Sequence, residues 1–165
     1  MQQIKIHDKL FEISILNEEI RAAIRRIGMR INEDFKGKTP IFVCILNGSF
    51  MFAADLLKEV TLPCEVSFVK MASYSGTKSS GFVKELIGFN ESLKGRSIII
   101  VEDIVDSGNT MEEIMLNLNE LGVEEVKIAT LILKPDAYKK NIPLDYVGLS
   151  ISNEFIVGYG LDYDG

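Results

Sequence analysis

Apolar runs at positions 41–46 and 98–101 are unbroken, and 126–133 is apolar apart from Lys127 and Thr130, which is the pattern of strands covered on both faces. Between them apolar residues recur at helical spacing, first at Ile20, Ala23, Ile24, Ile27 and Ile31, then at Met111, Ile114, Met115, Leu118 and Leu121. Strands and helices that alternate in this way predict an α/β fold, a parallel sheet flanked by helices on both faces. The first helix is expected to start with Asn17 as its N-cap, followed by Glu18 and Glu19, and to run to about Phe35 before the Gly37-Lys38-Thr39-Pro40 break. A second, apolar helix follows the Asn47-Gly48-Ser49 turn and reaches Leu57, and Gly122 closes the helix that carries Met111. Weaker patterns predict strands at 64–72, 82–89, 146–151 and 155–159, with a small, polar, glycine-bearing loop at 73–81 between the first two.

The 165 residues suit one domain over 1–165, with 47% hydrophobic and 25% charged positions. No segment has the length of a membrane span, and the polar, alternating N-terminus is unlike a signal peptide. Cys44 and Cys64 have neither zinc spacing nor a disulfide framework, so they read as small apolar residues of a cytoplasmic protein. A formal net charge of −6 argues against a nucleic-acid surface. An anionic ligand would have to be held locally, by helix N-termini, single lysines or a bound cation.

Chemistry concentrates after the 98–101 run, where Glu102, Asp103 and Asp106 are expected just past the carboxyl end of a buried strand, the usual place for ligands in α/β sheets. In Asp106-Ser107-Gly108-Asn109-Thr110, the glycine permits a strained turn and the backbone N–H groups entering a helix point outward together. With the Ser107 and Thr110 hydroxyls they form a nest for a phosphate. Glu102 and Asp103 would repel phosphate but suit vicinal hydroxyls or magnesium. Together these outline a ribose 5-phosphate site; a solvated acidic run before a helix is the plainer alternative.

The stretch 101–110, Val-Glu-Asp-Ile-Val-Asp-Ser-Gly-Asn-Thr, closely resembles the signature of type I phosphoribosyltransferases, in the form of the 6-oxopurine (hypoxanthine-guanine) branch. Positions 45–52, Ser73-Tyr74, Leu133-Lys134-Pro135 and 154–162 resemble, in order, the family's pyrophosphate loop, mobile-loop dipeptide, base-contacting lysine and base-binding hood. The resemblance implies transfer of a phosphoribosyl group from 5-phosphoribosyl 1-pyrophosphate to a 6-oxopurine, with Mg²⁺ as cofactor and a homodimer or homotetramer as the assembly. It implies a hood built from the N- and C-terminal segments.

By the same resemblance, Ser107, Gly108, Asn109 and Thr110 hold the 5′-phosphate, and Glu102 and Asp103 hold the ribose hydroxyls beside Mg²⁺. Asn47, Gly48, Ser73 and Tyr74 face pyrophosphate, while Lys134, Phe155, Ile156 and Asp162 contact the base, with Asp162 a further metal ligand. Asp106 matches the general base at purine N7, and partial burial is expected to raise its pKa from the ordinary value of about 3.9. Two departures stand out: Asn47 occupies a position where many relatives carry lysine, and the chain is expected to lack the family's last C-terminal segment.

Overall fold

The computed structural model describes residues 3–70, 85–87 and 93–161. In chain order the elements are β1 (Gln3–Ile6), β2 (Lys9–Glu12), α1 (Asn17–Asp34), β3 (Ile41–Leu46), α2 (Phe50–Glu59), β4 (Glu65–Lys70), β5 (Glu85–Ile87), β6 (Ser97–Val105), α3 (Asn109–Glu120), β7 (Glu125–Leu133) and β8 (Tyr146–Ser150). The main sheet has the order β5-β4-β3-β6-β7-β8. Its five strands from β4 to β8 in that order are mutually parallel, and β5 adds an antiparallel edge.

Two-sided burial explains the apolar runs. Along β6, Ile99 and Val101 join the layer of Ile24, Ile27, Phe52 and Leu56 from α1 and α2, whereas Ile98 and Ile100 join Met111, Ile114 and Leu118 of α3. Each such side chain taken out of water contributes roughly 1.5–3 kcal/mol, so a slip of one residue would empty neither face but mismatch both. The expected α/β architecture is therefore present, with α1 and α2 on one face and α3 on the other.

Three local expectations need correction. Glu102 and Asp103 lie inside β6, and only Asp106 lies beyond it. The ladder to β7 continues through Glu102↔Thr130, Ile104↔Ile132 and Val105↔Leu133, whereas pairing with β3 stops at Cys44↔Val101. The backbone partner on β7 is what keeps two acidic residues in a strand. Next, positions 155–159 form no strand: Gly158, Tyr159 and Gly160 all have positive φ (96°, 53° and 95°), which turns the chain back so that Gly158 bridges Leu161. Lastly, the N-cap of α1 is Leu16, whose N–H donates to the Glu19 carboxylate at 2.8 Å. Gly122 ends α3 as expected, at φ 68°.

The alternating N-terminus is an antiparallel hairpin of β1 and β2. It reaches the C-terminal segment, with the Phe11 and Phe155 rings 6.3 Å apart and Lys9 Nζ 4.8 Å from the Phe155 ring centre. Ser73, Tyr74, Asp162 and the 73–81 loop lie outside the described residues, and of the 82–89 strand only β5 is described. Among the described residues no helix is long and apolar enough to cross a membrane.

Candidate active site

The end of β3 and the continuation of β6 diverge, and a crevice opens between them. This is also the point where strand order reverses, since the chain passes from β3 outward to β4 on one side and from β6 to β7 and β8 on the other. Leu46 is joined by a cis peptide to Asn47, and Gly48 and Ser49 lead into α2. On the neighbouring strand Asp106, Ser107 and Gly108 lead into α3. Between the two turns lies a cleft of about 440 Å³ whose lining includes Asn47, Gly48, Glu102, Asp103, Asp106, Lys134, Phe155 and Ile156. A smaller recess of about 100 Å³ is formed by Glu102 and residues 104–111.

Residues 106–110 have the form expected of an anion nest. Gly108 is buried at φ 86°, and its carbonyl accepts the Glu112 N–H at 3.0 Å to begin the helix. Asp106, Ser107, Asn109 and Thr110 are exposed around it, so the first-turn N–H groups of α3 face an accessible recess. A Cβ on Gly108 would strike the Tyr138 ring. The stretch after β7 buttresses this turn: the Lys139 N–H reaches the Ser107 carbonyl at 3.4 Å, and Lys140 Nζ pairs with Glu112 at 2.6 Å. Tyr138 and Lys140 went unnoticed in the sequence because neither carries a local signal for a contact some thirty residues upstream.

The acids of β6 sit differently. Glu102 and Asp103 are each only 8% exposed. Burial above all, and next the adjacent Asp103 carboxyl, pushes the Glu102 pKa well above its ordinary value. Asp103 Oδ1 accepts the Ile104 N–H at 2.8 Å, and its Oδ2 is packed so closely on Gly48 that any Cβ there would overlap it. Among the described residues no lysine or arginine pairs with either acid. Two buried carboxyls beside a cleft, with no cation of their own, fit a hard divalent ion that completes its shell with water or substrate oxygens. The described residues hold no group of three candidate ligands, and the third one expected, Asp162, lies outside them.

Asp106 departs from expectation. Its side chain is 57% exposed rather than partly buried, because it follows the last paired residue of β6 and nothing from α3 folds back over it. Lys134 is the more sheltered member of this pair, its side chain 12% exposed, with Nζ 3.7 Å from Asp106 Oδ2. The Lys134 N–H donates to the Val105 carbonyl at 3.0 Å, which holds the lysine beside the end of β6.

At the far end of the cleft Phe155 is 55% exposed, so it is not a core residue as strand phenylalanines usually are. Ile104 of the 101–110 signature and Gly160 and Leu161 of the 154–162 stretch also line the cleft. A Cβ on Gly160 would strike the Gly48 carbonyl oxygen, so the C-terminal segment rests directly on the first turn. Ser49 is fully buried at the start of α2, and its hydroxyl has no hydrogen-bond partner among the described residues. A glycine flanked by apolar residues gives no hint in sequence of what it packs against.

The phosphoribosyl transferase domain family matches residues 14–164. The chain is 42% identical over 155 residues to the hypoxanthine phosphoribosyltransferase of Salmonella typhimurium, covering 92% of this chain and 87% of that protein. It is 38% identical over 159 residues to the hypoxanthine-guanine phosphoribosyltransferase of Streptococcus pneumoniae, covering 96% and 88%. Among solved structures, a hypoxanthine phosphoribosyltransferase from Staphylococcus aureus superposes with a TM-score of 0.83 at 36% identity, covering 95% of this chain and 86% of that one. The hypoxanthine phosphoribosyl transferase of Trypanosoma cruzi superposes at 0.84 with 32% identity, covering 98% and 88%. On the strength of matched sequence and fold together, this chain belongs to the hypoxanthine branch of the phosphoribosyltransferase family.

Proposed function

We propose that the enzyme transfers the 5-phosphoribosyl group of 5-phosphoribosyl 1-pyrophosphate to hypoxanthine, and to guanine, releasing pyrophosphate with the nucleoside 5′-monophosphate. The observation that carries this reading is the convergence of an open helix-entry nest, a buried acid pair and a Lys134–Asp106 pair 3.7 Å apart, in a cleft and an adjoining recess that share Glu102, Ile104 and Asp106. The nest of Ser107, Gly108, Asn109 and Thr110 holds the 5′-phosphate. Asn47 and Gly48 meet pyrophosphate through backbone N–H groups, together with Ser73 and Tyr74.

The 6-oxo group and N7 are neighbours on one edge of the purine. Lys134 donates to the 6-oxo oxygen, while Asp106 accepts the N7 proton as the base attacks the anomeric carbon. Adenine, with a donor amino group at that position, would meet a second donor in Lys134 and is disfavoured. Phe155 stacks on the purine, and the backbone of Ile156 contacts its edge. Glu102 and Asp103 hold the ribose hydroxyls and, with Asp162, would hold Mg²⁺. That ion, when bound, neutralises charge on the leaving pyrophosphate. The exposure of Asp106 suits a base that must reach substrate and then return its proton to water.

The reaction belongs to purine salvage, placed in the cytoplasm, and a homodimer or homotetramer is the expected assembly, read by sedimentation. The direct test incubates the protein with Mg²⁺, the phosphoribosyl donor and each base separately, following nucleotide formation. Inosine monophosphate should form from hypoxanthine and no nucleotide from adenine; failure with hypoxanthine overturns the reading. Asp106→Asn should lower kcat by about 100-fold with KM little changed, and unaltered turnover would remove Asp106 from proton transfer.

A further inference from the structure

Tyr159 is the one non-glycine residue in the left-handed run Gly158-Tyr159-Gly160, with φ 53°. L side chains seldom adopt that conformation, and they persist in it where surrounding contacts fix them. Two contacts do so here. The ring packs against the apolar layer of α1 and α2, and the hydroxyl donates to Asp55 Oδ2 on α2 at 2.5 Å. Burial, and then this bond, raises the Tyr159 pKa, while Asp55 is held below its ordinary value by Lys58, 2.7 Å from Oδ1, and by the same tyrosine hydroxyl. The bond therefore joins a neutral donor to a charged acceptor, the stronger kind of hydrogen bond.

Its position gives it a consequence. α2 carries the Asn47-Gly48-Ser49 turn at its start, and Gly160, the residue after Tyr159, rests on the Gly48 carbonyl. Gly160 and Leu161 in turn form part of the cleft wall beside Phe155 and Ile156. We propose that Tyr159 is a positioning residue: its bond to Asp55 seats the 158–161 turn on α2 and so sets the spacing between the base-binding wall and the pyrophosphate turn. The phosphate nest at 106–110 hangs on a different strand and helix, and this bond does not touch it.

The inference rests on the transferase reading of the cleft, so wild-type nucleotide formation is measured first; its absence sinks that reading. Tyr159→Phe keeps the ring and removes only the hydroxyl. In this variant the KM for hypoxanthine, and for pyrophosphate in the reverse reaction, should each rise about tenfold, with kcat little changed. The inhibition constant of ribose 5-phosphate, which reports the nest, should stay at its wild-type value. Asp55→Asn retains an acceptor and should be milder than Asp55→Ala, and Tyr159→Phe with Asp55→Ala should be no worse than the more impaired single variant. Equal shifts in all three constants, or additive effects in the double variant, would overturn the positioning role. Hydrogen exchange gives a readout independent of activity: amides at 158–161 should exchange faster in Tyr159→Phe, and unchanged exchange rejects the proposal.

Discussion

The turns at 47–49 and 106–110 are built alike and behave oppositely. Each follows a buried parallel strand, contains a glycine and opens a helix, yet the first is packed closely behind an exposed Asn47 and the second stands open. Gly48 is wedged against the Asp103 carboxylate on one side and lies under Gly160 on the other, and Ser49 is fully buried. Around Gly108 the side chains of Asp106, Ser107, Asn109 and Thr110 face solvent. The difference comes from neighbours rather than from the motif. β6 lies beside the first turn and extends past the end of β3, so its acids and the C-terminal segment close over that turn. The second turn caps the longer strand, and among the described residues its close cover is the 138–140 stretch, through the Tyr138 and Lys140 side chains and the Lys139 N–H. One strand–turn–helix unit thus makes a crowded wall of the cleft where neighbours pack on it and an open nest where they do not.

The comparison predicts that damage in the closed turn reaches fold and chemistry together, whereas damage in the open turn reaches affinity alone. Gly48→Ala is the most severe test, since its Cβ overlaps Asp103 Oδ2 and must displace that acid. It should reduce kcat/KM by about 100-fold and lower the melting temperature as well. Normal kinetics in that variant would mean the closed turn has slack that the packing does not reveal. Gly108→Ala comes next: φ 86° and the Tyr138 contact disfavour it, but a side-chain edge can move. The left-handed penalty of about 1–2 kcal/mol predicts roughly a tenfold rise in KM for the phosphoribosyl donor.

The acid pair that closes on the first turn sharpens the contrast through pH. The folded-state pKa of Glu102 is raised above its ordinary 4.5, so the folded protein holds a proton that the unfolded chain releases. Stability from this group is fully present below that ordinary value and is lost as pH rises from there through the raised one. Melting temperature measured without divalent ions should fall across that window. Glu102→Gln should flatten the fall while lowering activity, and an unchanged slope would show that the burial penalty is relieved elsewhere. The smallest effect is expected at the open turn. Ser107→Ala deletes one exposed hydroxyl and should raise the donor KM only a few-fold, at an unchanged melting temperature.

Much of this could be read locally. The β3 and β6 runs, the helix ending at Gly122 and the Asp106–Thr110 nest each carry their signal in adjacent residues, because strand burial, capping and turn formation are short-range events. The misread elements had non-local causes. Glu102 and Asp103 looked like residues beyond a strand because charge ordinarily ends one; pairing of Glu102 with Thr130 and of Ile104 with Ile132 on β7 keeps them in it. Positions 155–159 looked like a strand because aromatic and β-branched residues run together there, but three left-handed residues turn the chain instead.

By itself, then, the sequence determined the layered α/β architecture and the kinds of group the site would hold, since hydrophobic period and turn chemistry act over a few residues. Tertiary structure alone decided which groups are buried: Glu102 rather than Asp106 carries the desolvation, Lys134 rather than Asp106 is the sheltered partner, and Ser49 rather than Ser107 is enclosed. Burial is a property of what other elements lay over a residue, and here those elements lie tens of residues away along the chain.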